Sequence, residues 1–227
     1  MNEHSFPVAA SVTEKIASSR IGDFSDASAD CVLKRIRDSL RFPDKPHLDD
    51  LAESICARNL VCLTEYEGDF FFTLEGADEF PLSLPVSVVT PDENWPFAAT
   101  ENAPDFRDFI IHFGGMIDSR FPPTAYVQKP EWSVKVEQEE EETCVEFQWG
   151  NVEEWNGAHS FFQSSCGDLL VIRPKGQVGR WCHEIGWTDD EECAVVPMDS
   201  FGDLLARYSE SLRLSLDDRQ EQYCPWL

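Results

Sequence analysis

The residues best suited to chemistry are thiols and an imidazole in the C-terminal half, Cys166, Cys182 and His183. Such groups ligate zinc, or act together as nucleophile and base. His183-Glu184 begins like the zinc motif HExxH, but position 187 is tryptophan, so the second histidine ligand is missing. An uncharacterised hydrolase or zinc-dependent enzyme that uses these three residues is therefore an alternative, beside the simpler interpretation that they are structural residues of buried strands.

Other catalytic signatures are missing from the sequence. There is no GxSxG nucleophile elbow and no Walker or dinucleotide-binding glycine pattern. The eight cysteines are scattered without a CxxC pair, and most lie in apolar runs, where cysteine behaves as a small hydrophobic residue. We therefore predict a protein without cofactor, metal ion or enzymatic activity.

Two acidic runs and one tryptophan are the candidate contact surface. Residues 137–142 and 189–192 hold five and four carboxylates, nine of the 43 in the chain. Trp155 lies in a polar stretch, and an exposed tryptophan ringed by carboxylates suits a hot spot for a basic protein. Solvated loops are the simpler interpretation of both runs, and neither has the ligand spacing of a calcium loop. The predicted partner-binding residues are Glu139, Glu140, Glu141, Glu142, Trp155, Asp189, Asp190 and Glu191.

The overall charge indicates which partners the chain attracts. Eighteen lysines and arginines against 43 aspartates and glutamates give a formal net charge of −25. Nucleic acids and anionic membranes are bound through basic residues, and we find no cluster of four or more of them along the chain. We therefore predict a cationic protein partner, with neither nucleic acid nor membrane, and leave the oligomeric state open.

The N-terminus and the composition indicate the compartment. The first 15 residues have neither a basic region nor an apolar stretch, so no secretory signal is predicted. No window of about 18 residues is apolar enough to span a membrane. Hydrophobic residues make up 42% of the chain, enough for a substantial core. We expect a cytoplasmic protein with reduced thiols.

Hydrophobic periodicity predicts the elements that position these residues. Four helices are expected over residues 30–40, 48–55, 104–113 and 201–212. Ser28 or Asp30 caps the first, and Asp199 or Ser200 caps the last, where Ser200 with Asp203 resembles a capping box. Strands are expected over residues 60–66, 69–74, 84–90, 132–137, 144–149, 168–173 and 178–185, and a loop over 118–131. Their order predicts an α+β fold, an antiparallel or mixed sheet flanked by helices, with an N-terminal helical and hairpin extension.

The same pattern divides the chain into four parts. Residues 1–27 show little periodicity and are predicted to be a flexible tail. Residues 28–80 form helices and a hairpin that pack on the main domain, residues 81–215 are that α+β domain, and residues 216–227 are a charged C-terminal tail. No long glycine- and serine-rich linker separates the parts, so one continuous domain with an N-terminal extension is favoured.

Three passages resemble the SMI1/KNR4, or SUKH, superfamily over about residues 80–212. The first is the helix of residues 105–115, which ends in two glycines. The second is the hairpin of residues 167–184, with its turn Pro-Lys-Gly and the Gly-x-Val that follows. The third is the closing helix in residues 195–208, which contains Ser-Phe-Gly-Asp-Leu-Leu.

The resemblance implies a non-enzymatic protein-binding module without shared catalytic residues. The superfamily includes bacterial immunity proteins, which neutralise a co-produced toxin, and eukaryotic regulators that act as interaction hubs. An acidic immunity protein can compete with nucleic-acid phosphate on a basic nuclease and block it by occupancy. A housekeeping scaffold with no toxin partner is the other outcome that the resemblance allows.

Overall fold

The computed structural model describes residues 2–16, 18–66, 68–75, 81–87, 104–118, 125–127, 135–136, 158–163, 169–172, 176–182, 186–187 and 200–216. The helices within these ranges are α1 (Ala10–Thr13), α2 (Ala29–Ser39), α3 (Pro46–Cys56), α4 (Pro104–Phe113) and α5 (Phe201–Leu216). The strands are β1 (Asn2–His4), β2 (Leu60–Tyr66), β3 (Asp69–Leu74), β4 (Leu82–Pro85), β5 (Met116–Asp118), β6 (Ala125–Val127), β7 (Lys135–Val136), β8 (Ala158–Gln163), β9 (Leu169–Ile172), β10 (Val178–Cys182) and β11 (Gly186–Trp187).

The described strands form one antiparallel sheet in which neighbours in sequence are mostly neighbours in space. Its order is β1-β2-β3-β4-β5-β6-β8-β9-β10-β11. β6 pairs with the Phe162–Gln163 end of β8 and β7 with the Ala158–His159 end, so both flank the same edge of β8. With helices packed against this sheet, the predicted α+β class is confirmed.

Local chemistry accounts for the elements that the sequence predicted best. The β2–β3 hairpin closes at the pair Tyr66↔Asp69 and turns through Gly68, whose φ is +87°. In α2, the Ser28 hydroxyl accepts from the Cys31 N–H at 3.4 Å. In α5, the Asp203 N–H donates to the Ser200 hydroxyl at 3.2 Å, which confirms the predicted N-terminal cap.

Residues 2–27 correct the prediction of a flexible tail. β1 pairs with β2 from Asn2↔Glu65 to His4↔Leu63. Val8 and Phe24 are only 3% and 2% exposed, and the Phe24 ring meets Phe72 edge-on at 5.4 Å. These apolar residues are too widely spaced to show a period, yet each enters the core, so the segment is tied down by burial.

Short strands account for most of the other differences. β5 overlaps and β6 lies within the predicted loop of residues 118–131. β8 has six residues and was not predicted either. β4 lies at Leu82–Pro85 rather than over residues 84–90, of which 88–90 are outside the described residues, as is the predicted strand 144–149. Strands of two to four residues take their conformation from a partner, and such a short segment shows no period of its own.

One hydrophobic core joins the N-terminal helices, the sheet, α4 and α5. Its members come from every described helix except α1 and from the helix-facing side of β2, β3, β4, β5, β9 and β10. Phe201 of α5 packs on Phe106 and Phe109 of α4, with ring centroids 4.9 and 5.5 Å apart. α3 lies between α2 and α5 and contacts both. No described helix has the length and apolar character to span a membrane.

Candidate functional site

The residues that the sequence singled out for partner binding lie outside the described residues. This holds for Glu139, Glu140, Glu141, Glu142, Trp155, Asp189, Asp190 and Glu191. Of the alternative cysteine and histidine set, Cys166 and His183 lie outside as well, and Cys182 is the last residue of β10, opposite Gly186 of β11. Within the described ranges, no three His, Cys, Asp or Glu side chains are grouped to hold a metal ion.

The described part of the chain contains a cleft between α2 and α3, with a volume of about 610 Å³. Volumes of this size are typical of sites that bury a ligand or several side chains of a partner. Apolar side chains form its floor: Leu40, Pro43, Ala52, Cys56 and Ala57. Arg37 and Arg41 flank it on one side, and Asp49 and Glu53 on the other.

Two contacts hold α2 and the following loop against α3. At one end, Nε and Nη2 of Arg37 donate to the Cys56 carbonyl at 3.0 and 2.6 Å. At the other end, the Phe42 N–H donates to Oδ1 of Asp49 at 3.1 Å. Residues 37–42 therefore run antiparallel to α3. Arg37 also completes the last turn of α3, where the helix dipole favours a cation, so the cleft is fixed at both ends.

The α2 side of the cleft is locally basic, although the chain as a whole is strongly acidic. Lys34 and Arg37 lie at i and i+3 on the exposed face of α2, and Arg41 follows two residues after the helix ends. Residues 34–45 contain five basic and two acidic residues, a local charge of +3 in a chain of −25. Other residues separate these bases in the sequence, so no contiguous basic run marks this side of the cleft.

Cys56 contributes apolar surface to the cleft rather than a nucleophile. Burial raises the pKa of its thiol to about 11, although the nearby Arg37 and Arg20 act in the opposite direction. At neutral pH the thiol is therefore protonated, and the protonated form is a poor nucleophile. Cys31, Cys56 and Cys62 are all free thiols.

The opposite face of α3 is closed by buried polar contacts. Ser54 donates to the Asp50 carbonyl within α3 at 2.8 Å and lies 3.3 Å from the Ser209 carbonyl of α5. Arg58, only 2% exposed, donates through Nη1 to the Glu75 carbonyl at 2.9 Å and through Nη2 to the Leu212 carbonyl at 3.1 Å. One guanidinium thus joins the end of β3 and α5 beside the C-terminus of α3.

α5 contacts the sheet at β5, and its start lies against the N-termini of α3 and α4. Tyr208 donates to Oδ2 of the buried Asp118 on β5 at 2.7 Å. Near its start, α5 approaches α3 and α4 so closely that a Cβ on Gly202 would lie 2.8 Å from Oδ2 of Asp105 and 3.0 Å from Cδ2 of His47. The absence of a side chain at Gly202 therefore lets the N-termini of these three helices converge.

Arg20 is a buried cation that sequence reasoning missed, because it lies in the segment predicted to be a tail. Its Nη2 donates to the Phe113 carbonyl at the end of α4 at 2.6 Å. The residue as a whole is partly exposed, but Nε and Nη1 are buried and have no hydrogen-bond partner among the described residues. Burial lowers the pKa of Arg20 to about 10, so the guanidinium stays protonated at neutral pH and complements the negative end of α4.

Comparison with known proteins does not assign the chain. No protein-family model matches it, and no curated protein or solved structure shows significant similarity to it. The resemblance to the SMI1/KNR4 superfamily therefore stays a prediction from the residues.

Proposed function

We propose that this protein is a non-enzymatic, cytoplasmic protein-binding module of SMI1/KNR4 type that acts as an immunity protein. In this proposal it binds a basic toxin through its acidic surface and blocks the toxin by occupancy. The observation that carries the proposal is the formal net charge of −25 on a folded α+β domain. A field of this sign repels nucleic acid and speeds encounter with a cationic protein.

Ion pairs in the described part of the chain support this proposal. Lys45 pairs with Asp108 at 2.5 Å, Arg41 with Asp38 at 3.5 Å and Arg213 with Asp50 at 3.5 Å. Each pair neutralises one basic and one acidic residue, so the net charge of −25 is unchanged and sets the field around the molecule. In the sequence, the runs at 137–142 and 189–192 hold nine carboxylates, and we assign Trp155 to the proposal as the aromatic anchor.

The fold is compatible with the resemblance that suggests the immunity role. The antiparallel sheet with flanking helices is the class expected for the SMI1/KNR4 superfamily, and the closing helix α5 packs on the glycine-terminated helix α4. A shared fold class does not specify function, so the charge and not the fold carries the proposal.

The first test is a rescue experiment in cells. The reading frame adjacent to the gene is expressed alone and together with this protein, and growth is measured. The proposal predicts that the neighbour is a basic, toxic protein and that co-expression restores growth. A neighbour that is harmless, or a toxicity that co-expression leaves unchanged, contradicts the immunity role.

The second test measures the association rate of the two purified proteins at low and at physiological ionic strength. Steered association slows steeply with salt. Replacing Glu139, Glu140, Glu141 and Glu142 by Gln should slow association at low salt by about tenfold. A matched variant removes the same charge at exposed positions elsewhere, Glu3→Gln, Glu14→Gln, Asp26→Asn and Glu210→Gln. Equal slowing in both variants would show that net charge acts without a specific acidic surface.

A further inference from the structure

We propose that the cleft between α2 and α3 is a docking groove for an amphipathic helix of a partner protein, with acidic side chains along one flank of that helix and basic side chains along the other. The acidic flank faces Arg37 and Arg41, and the basic flank faces Asp49 and Glu53. This groove shares no residue with the acidic runs of the proposed immunity role, and the inference does not depend on that role.

The dimensions of the groove suit a short helical segment. Along α3 it extends from Asp49 to Ala57, eight steps of about 1.5 Å, or about 12 Å. That length accommodates about two turns of a second helix. The floor between these ends is apolar. Leu40 and Ala52 are already buried, so its accessible part is formed by the exposed Pro43 and Ala57 and the half-buried Cys56. An apolar stripe at i, i+3, i+4 and i+7 of a helix is what such a floor binds.

The charges along the groove select the occupant. A purely acidic segment would be repelled by Asp49 and Glu53, and a purely basic one by Arg37 and Arg41. Nucleic acid is further disfavoured by the net charge of −25. A helix that carries both signs on opposite flanks satisfies both walls, and the charges then fix its register and direction.

The groove is present before any partner binds. Arg37 and Asp49 are each held by a hydrogen bond that joins the α2 segment to α3. Arg41 and Glu53 are exposed at the rim; the side chain of Arg41 is 77% exposed, and its ion pair with Asp38 is of the weak surface kind. A preformed groove with charges ready at its rim loses little free energy to ordering on binding.

The test uses two labelled synthetic peptides of about 12 residues and the full-length protein. Both peptides carry the same leucine stripe and the same numbers of glutamates and lysines. In the first, glutamates occupy one flank and lysines the other; in the second, the two alternate on each flank. Fluorescence anisotropy should show that the first binds about tenfold more tightly than the second.

Charge reversals in the protein locate the binding. Arg41→Glu places a glutamate beside Arg37 and cancels the positive charge of that wall, and Glu53→Arg likewise cancels the negative charge of the other wall. Each should weaken binding of the first peptide about fivefold. The double variant, Arg41→Glu with Glu53→Arg, leaves one charge of each sign on each wall. It should lose the preference for the first peptide, because neither flank of that peptide then faces a wall of one sign. Ala57→Trp fills the groove at an exposed position and should abolish binding.

Each of these results either supports or contradicts the docking groove. A preference for the first peptide that is lost in the double variant supports the groove. Equal binding of the two peptides to the wild-type protein, a preference that persists in the double variant, or full binding to Ala57→Trp would each overturn it. Circular dichroism of every variant separates loss of binding from loss of folding. None of these results bears on rescue from a toxin.

Discussion

On the side of α3 that faces α5, polar groups are buried and paired, whereas on the side that faces α2 they stand at the rim of an open cleft. Arg58 and Arg37 show the contrast, since both donate to backbone carbonyls. Arg58 is 2% exposed and joins two other elements, while Arg37 is exposed and lines the cleft. The same helix thus contributes both to the interior of the domain and to a surface that can receive a partner.

The difference teaches that similar hydrogen bonds stabilise the protein to different extents. A buried carbonyl that loses its donor bears the full cost of desolvation, but a carbonyl near solvent can bind water instead. Substitutions on the α5 side should therefore affect stability strongly. Substitutions on the α2 side should affect recognition and leave stability nearly unchanged.

The largest effect is expected at Arg58. Arg58→Met removes the donors to the Glu75 and Leu212 carbonyls and should lower the free energy of unfolding by about 3 kcal/mol. Urea denaturation at pH 7 measures the change. The matched control is Arg213→Met, because Arg213 is half-exposed and its contact with Asp50 is 3.5 Å long. That variant should lose less than about 1 kcal/mol. Similar losses of unfolding free energy in the two variants would contradict the claim that buried hydrogen bonds stabilise this protein more than exposed ones.

Tyr208→Phe should have the next largest effect. The hydroxyl donates to Oδ2 of Asp118 at 2.7 Å, and both residues are buried. Because hydrogen bonds to buried carboxylates are stronger than average, we expect a loss of about 2 kcal/mol in urea denaturation. Tyr66→Phe, on a tyrosine that is 41% exposed, serves as the control and should change stability by less than about 0.5 kcal/mol. If Tyr208→Phe leaves the free energy of unfolding unchanged, the buried hydrogen bond from Tyr208 to Asp118 does not stabilise the fold.

The architecture could be read largely from sequence because its longer elements agree with local rules. The β2–β3 hairpin was predicted with its observed bounds, and α4 with its buried face of four residues. The short strands β1, β5 and β6 could not be predicted, since pairing with distant partners defines them. The packing of residues 2–27 was missed for the same reason.

The candidate site was much less predictable than the fold. The cleft depends on how the loop after α2 turns back along α3, and the hydrogen bond from Arg37 to the Cys56 carbonyl spans 19 residues. The one signal available in the sequence was the local excess of basic residues over positions 34–45. The predicted contact surface was based instead on the contiguous acidic runs at 137–142 and 189–192, which lie outside the described residues.

On the α2 side, stability should be nearly insensitive to substitution. Arg41→Glu and Glu53→Arg alter exposed side chains at the rim and should each change the free energy of unfolding by less than about 0.5 kcal/mol. Thermal and urea denaturation measure this, with wild type as the reference. A loss comparable to that of Arg58→Met would mean that the rim is a structural part of the domain and not a free surface.

The smallest effect concerns pH. Burial, followed by Lys45, lowers the pKa of His112 below its ordinary value of 6.5. The unfolded chain therefore takes up a proton more readily, so this contribution to stability is present above pH 6.5 and is lost as the pH falls further. His112→Gln should consequently show a shallower decline in stability than wild type between pH 7.5 and pH 5. If the stability of the variant and of the wild type falls equally with pH, His112 is not the source of this pH dependence. The ring of His112 packs on Phe42 beside the cleft.

The claim that the α2 side of α3 is built to be covered by a partner can be tested directly at Cys56. Its thiol lines the cleft with a pKa of about 11, so its alkylation should be slow and should accelerate about tenfold per pH unit up to that value. At pH 9, the charge-segregated peptide at saturating concentration should suppress labelling of Cys56. Labelling of the exposed Cys31 should stay unchanged, with both sites followed by peptide mass spectrometry. If Cys56 is labelled equally fast with and without the peptide, the cleft is not the docking groove and the account is wrong.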